Sequence, residues 1–439
     1  MKSEELAITL QKNGAKFIAL QITDLMGQLK GFEYPIKHLN KILKNGVRAD
    51  GSSLGFSKVE RSDILIMPDV DTLHILPWNK NIVRVFGNIL TLEGKPYESD
   101  PRGILKKVLE EGEKSGFKFN VGPEPEFYLF DKDGMFIDKS TYADVDPYDK
   151  GMEFRRALSE ILLELDIEPD VHHHEVGPGQ NEIELKKDVE ALKQADNLQK
   201  FKHAAKVLGA KMGFIVSFMP KPEINIAGNG MHLHLSILDK ETGENLVVDK
   251  NLTLTDLAKN FIAGILNHAK GITAIVAPTV NSYKRLKPGY EAPVYICWGE
   301  FNRTAMIRIP AFKSRSSATI EYRTPDPMAN PYLAFAVVIA AGLEGIKHNL
   351  EPPKPINMNT YKMNAEERNK LGIEMLPGNL YDAIQEMRKD PLISKVLGAK
   401  TMEIFAEKLL KDWNDYKEHV EDPYELKVTD WEKRRYMFL

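Results

Sequence analysis

An α+β fold built on an antiparallel sheet that carries helices is predicted by three observations. Strand-like and helix-like runs are mixed along the chain without the regular short βαβ rhythm of a doubly wound sheet. A stretch rich in turn formers, Glu93 to Pro101 within LEGKPYESDP, reads as a junction between a small N-terminal unit and a larger one. The C-terminal third, from Asn330 to Leu439, is mostly helical in pattern. With 439 residues the chain exceeds the size at which single hydrophobic cores stop growing, so more than one domain is expected, divided as 1–100 and 101–439.

In chain order, a helix is expected near residues 3–13, followed by strands over AKFIALQITD, LKGFEYP and NIVRVFGNIL, which make the first hundred residues a small α+β unit. Asp100 at the N-cap and Pro101 at the first helical position then start a helix through RGILKKVLEEGEKSG. Beyond it, helices around 151–166 and 190–211 alternate with strands around 124–130, 180–186, 214–219, 231–238 and 304–309. No fixed-period repeat and no low-complexity tract interrupts this order.

Composition excludes several function classes. Hydrophobic residues at 43% and charged residues at 28% describe an ordinary soluble protein. A formal net charge of -4 gives no basic excess for gripping a nucleic-acid backbone, although local arginines still allow small anions. A single cysteine, Cys297, cannot form an internal disulfide, and no Cys/His set has zinc spacing, so a reducing compartment is expected. The opening MKSEELAITLQKNG carries acids where a signal peptide needs an apolar core. The longest apolar run, Leu333 to Leu343, is about half a membrane span and reads as a buried helix. A cytoplasmic protein with neither nucleic-acid nor membrane partners is expected.

The chemistry is concentrated in four pairs of residues two apart in strand-like runs: Glu124 and Glu126, Glu182 and Glu184, His232 and His234, Glu321 and Arg323. A strand points residues i and i+2 to the same face. One such pair by itself reads as the solvent side of a half-exposed strand. Four pairs on one sheet would line a face with carboxylates and imidazoles, which is costly unless cations neutralise it. Glu124, Glu126, Glu175, Glu182 and Glu321 each have Gly, Pro or another acid close by, unlike charges on a solvated helix face. Many carboxylates with one or two imidazoles and no thiolate favour a hard divalent ion such as magnesium or manganese. Two such ions close together suit phosphoryl transfer, and arginines should then be near. Arg285, Arg303, Arg308 and Arg323 are present, and guanidinium forks bind phosphates and carboxylates at two points. No Walker loop occurs, and GNGMH is too weak to be a dinucleotide fingerprint. Spacing alone therefore leads to a metal-dependent phosphoryl-transfer enzyme.

Seven segments in order carry a closer identification: DGSSLGF at 50–56, GPEPEF at 122–127, HHHEVGPGQNE at 172–182, GNGMHLH at 228–234, NSYKRLKPGYEAP at 281–293, NRTAMIRIP at 302–310 and EYRTPDPMANPYLAF at 321–335. With these the chain resembles the type I glutamine synthetases, in their shorter, alpha-like subtype, over nearly its whole length. The resemblance implies a β-grasp-like N-terminal domain, a larger catalytic domain and a homo-dodecamer of two stacked hexameric rings. It implies ATP-dependent ligation of ammonia to the γ-carboxylate of L-glutamate, with two or more magnesium or manganese ions per subunit and ATP as a substrate. The active site would lie between neighbouring subunits, closed by Asp50 of one N-terminal domain.

Carried over by position, the resemblance assigns Glu126, Glu175 and Glu182 to one metal ion and Glu124, His232 and Glu321 to the other. Glu184 is not a ligand in that scheme. Asp170, His234, Ser236, Arg303 and Arg308 become nucleotide contacts, the two arginines at the phosphates. Gly228, Arg285, Glu291 and Arg323 become glutamate contacts. Asp50, Ser53 and Glu291 form the ammonium pocket, with Asp50 as proton acceptor, Glu291 on a flap hinged near Gly289, and Arg303 spreading the transferring charge.

Three departures from the family pattern stand out: AGNGMH in place of NGSGMH, with Ala227 and Asn229 as the changed residues; SSLGF, one residue shorter than the common latch; and Thr319 where an arginine is expected. Lys313 or Arg315 are the candidates to replace the contact of that arginine. Tyr361, in NMNTYKM, aligns with a tyrosine that some relatives adenylylate, and in the shorter subtype an unmodified, partly buried residue is expected. Control would then fall to glutamine feedback or to small nitrogen-regulatory proteins. The competing readings are a γ-glutamyl ligase for a larger amine, disfavoured by the presence of Asp50 and Glu291, and a non-catalytic regulatory relative, disfavoured by the complete set of metal carboxylates.

Overall fold

The apolar runs near the N-terminus pair first with one another. In the computed structural model, which describes residues 10, 12, 14–289 and 292–439, β1 (Phe17–Thr23) and β2 (Leu29–Pro35) form an antiparallel hairpin. They are joined by β3 (Val47–Asp50), β4 (Asp63–Pro68), β5 (His74–Leu76) and β6 (Asn79–Leu90) in one mixed sheet of order β2-β1-β6-β4-β3, with β5 on β6. β1 runs parallel to β6, and the helix Leu39–Asn45 packs beside β4. A mixed sheet carrying a short helix is the β-grasp arrangement implied by the resemblance. The helix expected near residues 3–13 lies almost wholly outside the described residues, as does Glu291.

The expected N-cap forms as read. Asp100 accepts from the Arg102 amide, with Pro101 in the first turn of the helix Pro101–Lys114. Its other oxygen accepts from the Ile89 amide at 3.1 Å, tying the helix start to β6. Arg102 then reaches both halves of the molecule. It donates to Asp196 at 2.8 and 2.9 Å and to Asp69 at 2.8 Å, while Asp196 also accepts from the Tyr332 hydroxyl at 2.7 Å.

The second sheet has the order β13-β14-β15-β11-β7-β9-β8, with β10 on β7. Its strands are β7 (Phe117–Phe130), β8 (Pro169–His174), β9 (Gln180–Leu185), β10 (Ile215–Ser217), β11 (Met231–Asp239), β13 (Trp298–Glu300), β14 (Ile307–Ile309) and β15 (Ile320–Tyr322). A separate pair joins β12 (Tyr295–Ile296) to β16 (Glu374–Met375). Every pairing in the large sheet is antiparallel except β13 with β14, a departure from the expected uniform antiparallel order. β7 also begins seven residues before the expected strand at 124, because it reaches along the whole of β11.

Alternation gives this sheet two unlike faces. Val121, Phe127 and Leu129 of β7, Leu233, Leu235 and Ile237 of β11, and Ile183 and Leu185 of β9 are fully buried in the core. Phe127 alone meets Phe154, Phe201 and Phe218 of the helical layer and its neighbouring loop. The helices Met152–Glu164 and Ala191–Met212 pack on this side. The glutamates and histidines occupy the opposite face.

The run Leu333 to Leu343 lies within the helix Pro331–Lys347 and is buried except near its end. Among the described residues no helix is long and apolar enough to cross a membrane. It crosses the helix Asp256–Asn267 at a point made of glycines: a Cβ on Gly264 would sit 2.0 Å from the Ala341 carbonyl oxygen, and one on Gly345 would sit 2.1 Å from that of Asn260. Two backbones in such contact leave no room for a methyl group. Gly264→Ala is expected to destabilise the fold by about 2 kcal/mol through overpacking, read as a lower midpoint in chemical denaturation. An unchanged midpoint would mean that the helices do not cross this closely.

Candidate active site

The polar face is assembled by register. Glu126 of β7 lies opposite Glu182 of β9, Glu124 opposite His232 of β11, and His234 of β11 opposite Glu321 of β15. Glu124, His232 and Glu321 offer ligand atoms within 4.8 Å of one another, as do His173, Glu175 and Glu182, and Glu124, Glu182 and Glu184. Five of the six expected metal-binding side chains thus fall in these groups; Glu126 is in none of them, and Glu175 and Glu182 are joined by His173 instead. Oxygen and imidazole donors with no thiolate among them fit hard divalent cations.

Two halves of this face carry their charge differently. Burial pushes the Glu321 carboxyl up, but Arg323, His234 and His232 outweigh it and hold it at about 2. Both of its oxygens are engaged, one by Arg323 and the other by Arg308. For Glu124, burial is likewise outweighed by His234, His232 and Lys187, leaving the carboxyl well below its ordinary value. His234 Nε2 is 2.8 Å from Glu124 Oε1 and Lys187 Nζ is 3.0 Å from it.

Glu126 and Glu182 are the reverse. Burial and the neighbouring Glu175 carboxylate push Glu126 up to about 8, despite hydrogen bonds from the Gly230 amide at 3.0 Å and the Gln180 side chain at 2.9 Å. Burial and Glu126 raise Glu182 well above the carboxylate range. Burial and Arg323 push His232 down to about 4, which leaves the ring neutral and able to act as a ligand near neutral pH.

Beside Glu126 a cavity of about 370 Å³ opens, lined by Glu175, Gly228, His232, Arg285 and Arg323 among others. Arg285 is fixed by donating to the Thr324 carbonyl at 2.7 Å and the Arg323 carbonyl at 3.1 Å. The 227–230 loop is held against the cavity by its main chain: the Tyr128 hydroxyl donates to the Ala227 carbonyl at 2.7 Å, and Gln180 donates to the Gly228 carbonyl at 3.2 Å. A Cβ at Gly228 would meet the Pro220 carbonyl at 2.6 Å and Arg285 at 2.9 Å, so only glycine fits. Asn229, where serine is the family residue, is fully buried and donates to the Met219 carbonyl at 2.9 Å. The changed side chain braces the loop from behind.

Not every sequence-assigned residue gathers here. Asp50 ends β3, exposed, and its carboxyl is held at about 2 by the Ser52 and Ser53 hydroxyls, each at 2.6 Å. Neither it nor Ser53 lines the cavity, whose walls among the described residues come from positions between 126 and 323. Asp170 is exposed on β8, at the far edge of the sheet, where it acts on Lys186. Arg303 is exposed on the connection between β13 and β14. Ser236 donates to the Ala318 carbonyl at 3.2 Å, and Thr319 lies 2.8 Å from His234 Nδ1. Arg315, a candidate for the missing arginine contact, is committed to Glu244 at 3.1 Å and to the Asn245 carbonyl at 2.7 Å. Tyr361 is half-buried, and its hydroxyl donates to the Ala292 carbonyl at 2.8 Å.

Sequence reasoning missed Lys187, His173 and Gln180. Lys187 bridges Glu124 and Glu184, at 3.0 and 3.1 Å, and so gives Glu184 a counter-ion beside the candidate ligands. A lysine after a strand carries no local mark of this. Gln180 sits within HHHEVGPGQNE two residues before Glu182, so the same i, i+2 rule could have found it.

Comparison with known proteins agrees with this geometry. Residues 98–436 match the family described as glutamine synthetase, catalytic domain, and residues 14–92 match glutamine synthetase, beta-Grasp domain. A glutamine synthetase of Pyrococcus furiosus is 46% identical over 433 residues, covering 97% of each chain. One of Staphylococcus aureus is 40% identical over 447 residues, covering 99% of this chain and 98% of the relative. Among solved structures, that of a GmaS/ADP complex is similar with a TM-score of 0.87, 32% identity and 98% coverage of both chains.

The raised carboxyls make ion binding proton-linked. At pH 7 Glu126, held at about 8, is mostly protonated, and a bound cation would favour its ionised form. Adding magnesium or manganese to chelator-treated protein at pH 7 is therefore expected to release protons, and the release should fall above about pH 9, where Glu126 is already ionised. Calorimetry in buffers of different ionisation enthalpy reads the number. Equal release at pH 7 and pH 9.5 would contradict the assignment.

Proposed function

This chain belongs to the glutamine synthetase family, and from that membership we infer that it is a glutamate–ammonia ligase of glutamine biosynthesis: it uses ATP to join ammonia to the γ-carboxylate of L-glutamate through γ-glutamyl phosphate, releasing L-glutamine, ADP and phosphate. The observation that carries this reading is the acid–imidazole cluster of Glu124, His232 and Glu321 beside a cavity walled by Arg285 and Arg323.

Glu126, Glu175 and Glu182 would hold one divalent cation and Glu124, His232 and Glu321 the other. The grouping of Glu124, His232 and Glu321, and of Glu175 and Glu182 with His173, supports magnesium or manganese at both places. Such cations would neutralise and align the transferring phosphoryl group. His234, Ser236 and Asp170 are assigned to the nucleotide, and Arg303 and Arg308 to its phosphates. Arg308 is favoured by its place on β14 beside Glu321, and Arg303 by its exposure at the mouth of the same strands. Arg285, Arg323 and the Gly228 main chain would orient glutamate so that its γ-carboxylate attacks the γ-phosphate in line. Two guanidinium groups in one 370 Å³ cavity suit a dicarboxylic amino acid.

Asp50, Ser53 and Glu291 would hold ammonium, and Glu291 would shield the acyl phosphate from water. A carboxyl held at about 2 makes Asp50 a firm negative charge and a weak base. It would attract the cation strongly and take its proton as the nitrogen bonds to carbon. Because no residue of the N-terminal sheet lines the cavity of its own chain, Asp50 is assigned to the site of a neighbouring subunit. This fits the division of the chain at residue 100, a dodecamer of two hexameric rings, and a cytoplasmic setting in nitrogen assimilation with control by glutamine or small nitrogen-regulatory proteins.

Purified protein given ATP, magnesium and glutamate should release phosphate in proportion to added ammonium and form glutamine. Faster turnover with ethanolamine or a polyamine would overturn the choice of amine. Asp50→Ala and Glu321→Ala subunits should each be nearly inactive alone, by about two orders of magnitude or more. Assembled together they should recover a fraction of the activity, since some interfaces then join an intact Asp50 to an intact Glu321. No recovery in verified mixed oligomers would place Asp50 in its own chain's site.

A further inference from the structure

A second cavity, of about 400 Å³, lies behind the β1–β2 hairpin, against the helix Ala191–Met212 and the C-terminal residues 435–439. It holds cationic groups to which the reaction assigns no role. Lys202 and Lys206, one turn apart on the helix, both reach over the Phe218 ring, with Nζ 5.9 and 5.8 Å from its centroid. Lys202 also donates to the Pro327 and Ala329 carbonyls, whereas the ring is the contact of Lys206. His203 lines the same wall, its Nδ1 without a hydrogen-bond partner.

The remaining charges at this cavity are matched. Arg435 pairs with Asp412 at 2.7 Å, and Lys30 with Asp24 at 3.8 Å. Among the described residues no carboxylate lies within 4 Å of the Lys202 or Lys206 ammonium; Asp326 acts on Lys202 from further away. Like charges at i and i+4 repel, and a buried cation without a counter-ion is costly. Burial pushes Lys202 down to about 7 and Lys206 to about 8, with their mutual repulsion adding to the shift of Lys202. Two ammonium groups thus face this cavity with no carboxylate at ion-pair distance among the described residues.

We propose that this cavity is a non-catalytic binding site for a small phosphoryl anion, held between the ammonium groups of Lys202 and Lys206. Lysine ammonium groups bind phosphate as compact point charges, and a multiply charged anion can engage both at once. The volume falls within the range of small-molecule sites, so free phosphate or a phosphate monoester fits equally.

The test uses the full chain with chelator present, so that the acidic catalytic face carries no cation to attract phosphate. Thermal unfolding is followed against inorganic phosphate or glycerol 3-phosphate, with chloride at equal ionic strength as reference. The wild type should show a saturable rise in Tm with either probe, and the tighter probe identifies the source of the phosphoryl group. Lys206→Met should unfold no earlier than wild type in chloride, because it removes an uncompensated charge, yet its apparent Kd for phosphate should rise at least about tenfold. Lys202→Met provides an independent repeat. Ammonium-dependent turnover should persist in Lys206→Met, which separates this site from the catalytic one. Equal phosphate shifts in wild type and both variants, no shift in wild type, or variants that fail to fold in chloride would each overturn the proposal.

Discussion

The pairing register of β9, β7, β11 and β15 is the constraint from which the centre of the molecule follows. It sets Glu182 against Glu126, His232 against Glu124 and Glu321 against His234. A slip of one residue in β7 would turn Phe127 and Pro125 to this face and bury the glutamates among Phe154, Phe201 and Phe218. The apolar side forbids it. Each fully buried aliphatic or aromatic side chain of that side contributes about 1.5–3 kcal/mol, and Val121, Phe127, Leu129, Leu233, Leu235 and Ile183 all sit there. Hydrophobic burial on one face of the sheet thus fixes the chemistry of the other.

Register alone would leave the face crowded with negative charge, so its neighbours divide the charge. Around Glu124 and Glu321, three cations, Lys187, Arg308 and Arg323, keep the carboxyls ionised, with the His234 ring 2.8 Å from Glu124. Around Glu126 and Glu182, burial and the neighbouring carboxylates outweigh the pull of Arg285 and Arg323 on Glu126, and the carboxyls hold protons instead. One half is therefore preorganised by arginine and imidazole, the other is poised to exchange a proton for a cation. Arg323 also faces the cavity beside Glu126, so a guanidinium available to an acidic ligand there is itself oriented by Glu321.

Much of this was legible in the chain. Residues two apart on a strand share a face, and that rule alone separated the polar set from its apolar alternates. The N-cap at Asp100 and the helices at 152–164 and 191–212 were equally local signals. Non-local facts were not legible: the parallel pairing of β13 with β14, the seven extra residues of β7, and the Arg102 bridge between Asp69 and Asp196. Lys187 belongs with these, since its role depends on meeting Glu124 from sixty-odd residues away. Which carboxylate holds which ion came from the motifs, because spacing offers no means of telling Glu124 from Glu126.

Thr319 shows what geometry adds to a motif. Read as a letter, it stands where the resemblance leads one to expect an arginine. In the fold, its hydroxyl lies 2.8 Å from His234 Nδ1, and His234 Nε2 lies 2.8 Å from Glu124. The Glu124 carboxylate accepts from Nε2, which places the proton there, and Nδ1 then accepts from the threonine, so Thr319 holds the plane of the ring. Charge at Glu124 is supplied from the other flank, by Lys187 at 3.0 Å. A bulky guanidinium at position 319 would compete with that ammonium for the same carboxylate, whereas a hydroxyl leaves the lysine in place and orients the imidazole between them. The departure changes which side of the strand the positive charge comes from, while Glu124 keeps its neutralising partners.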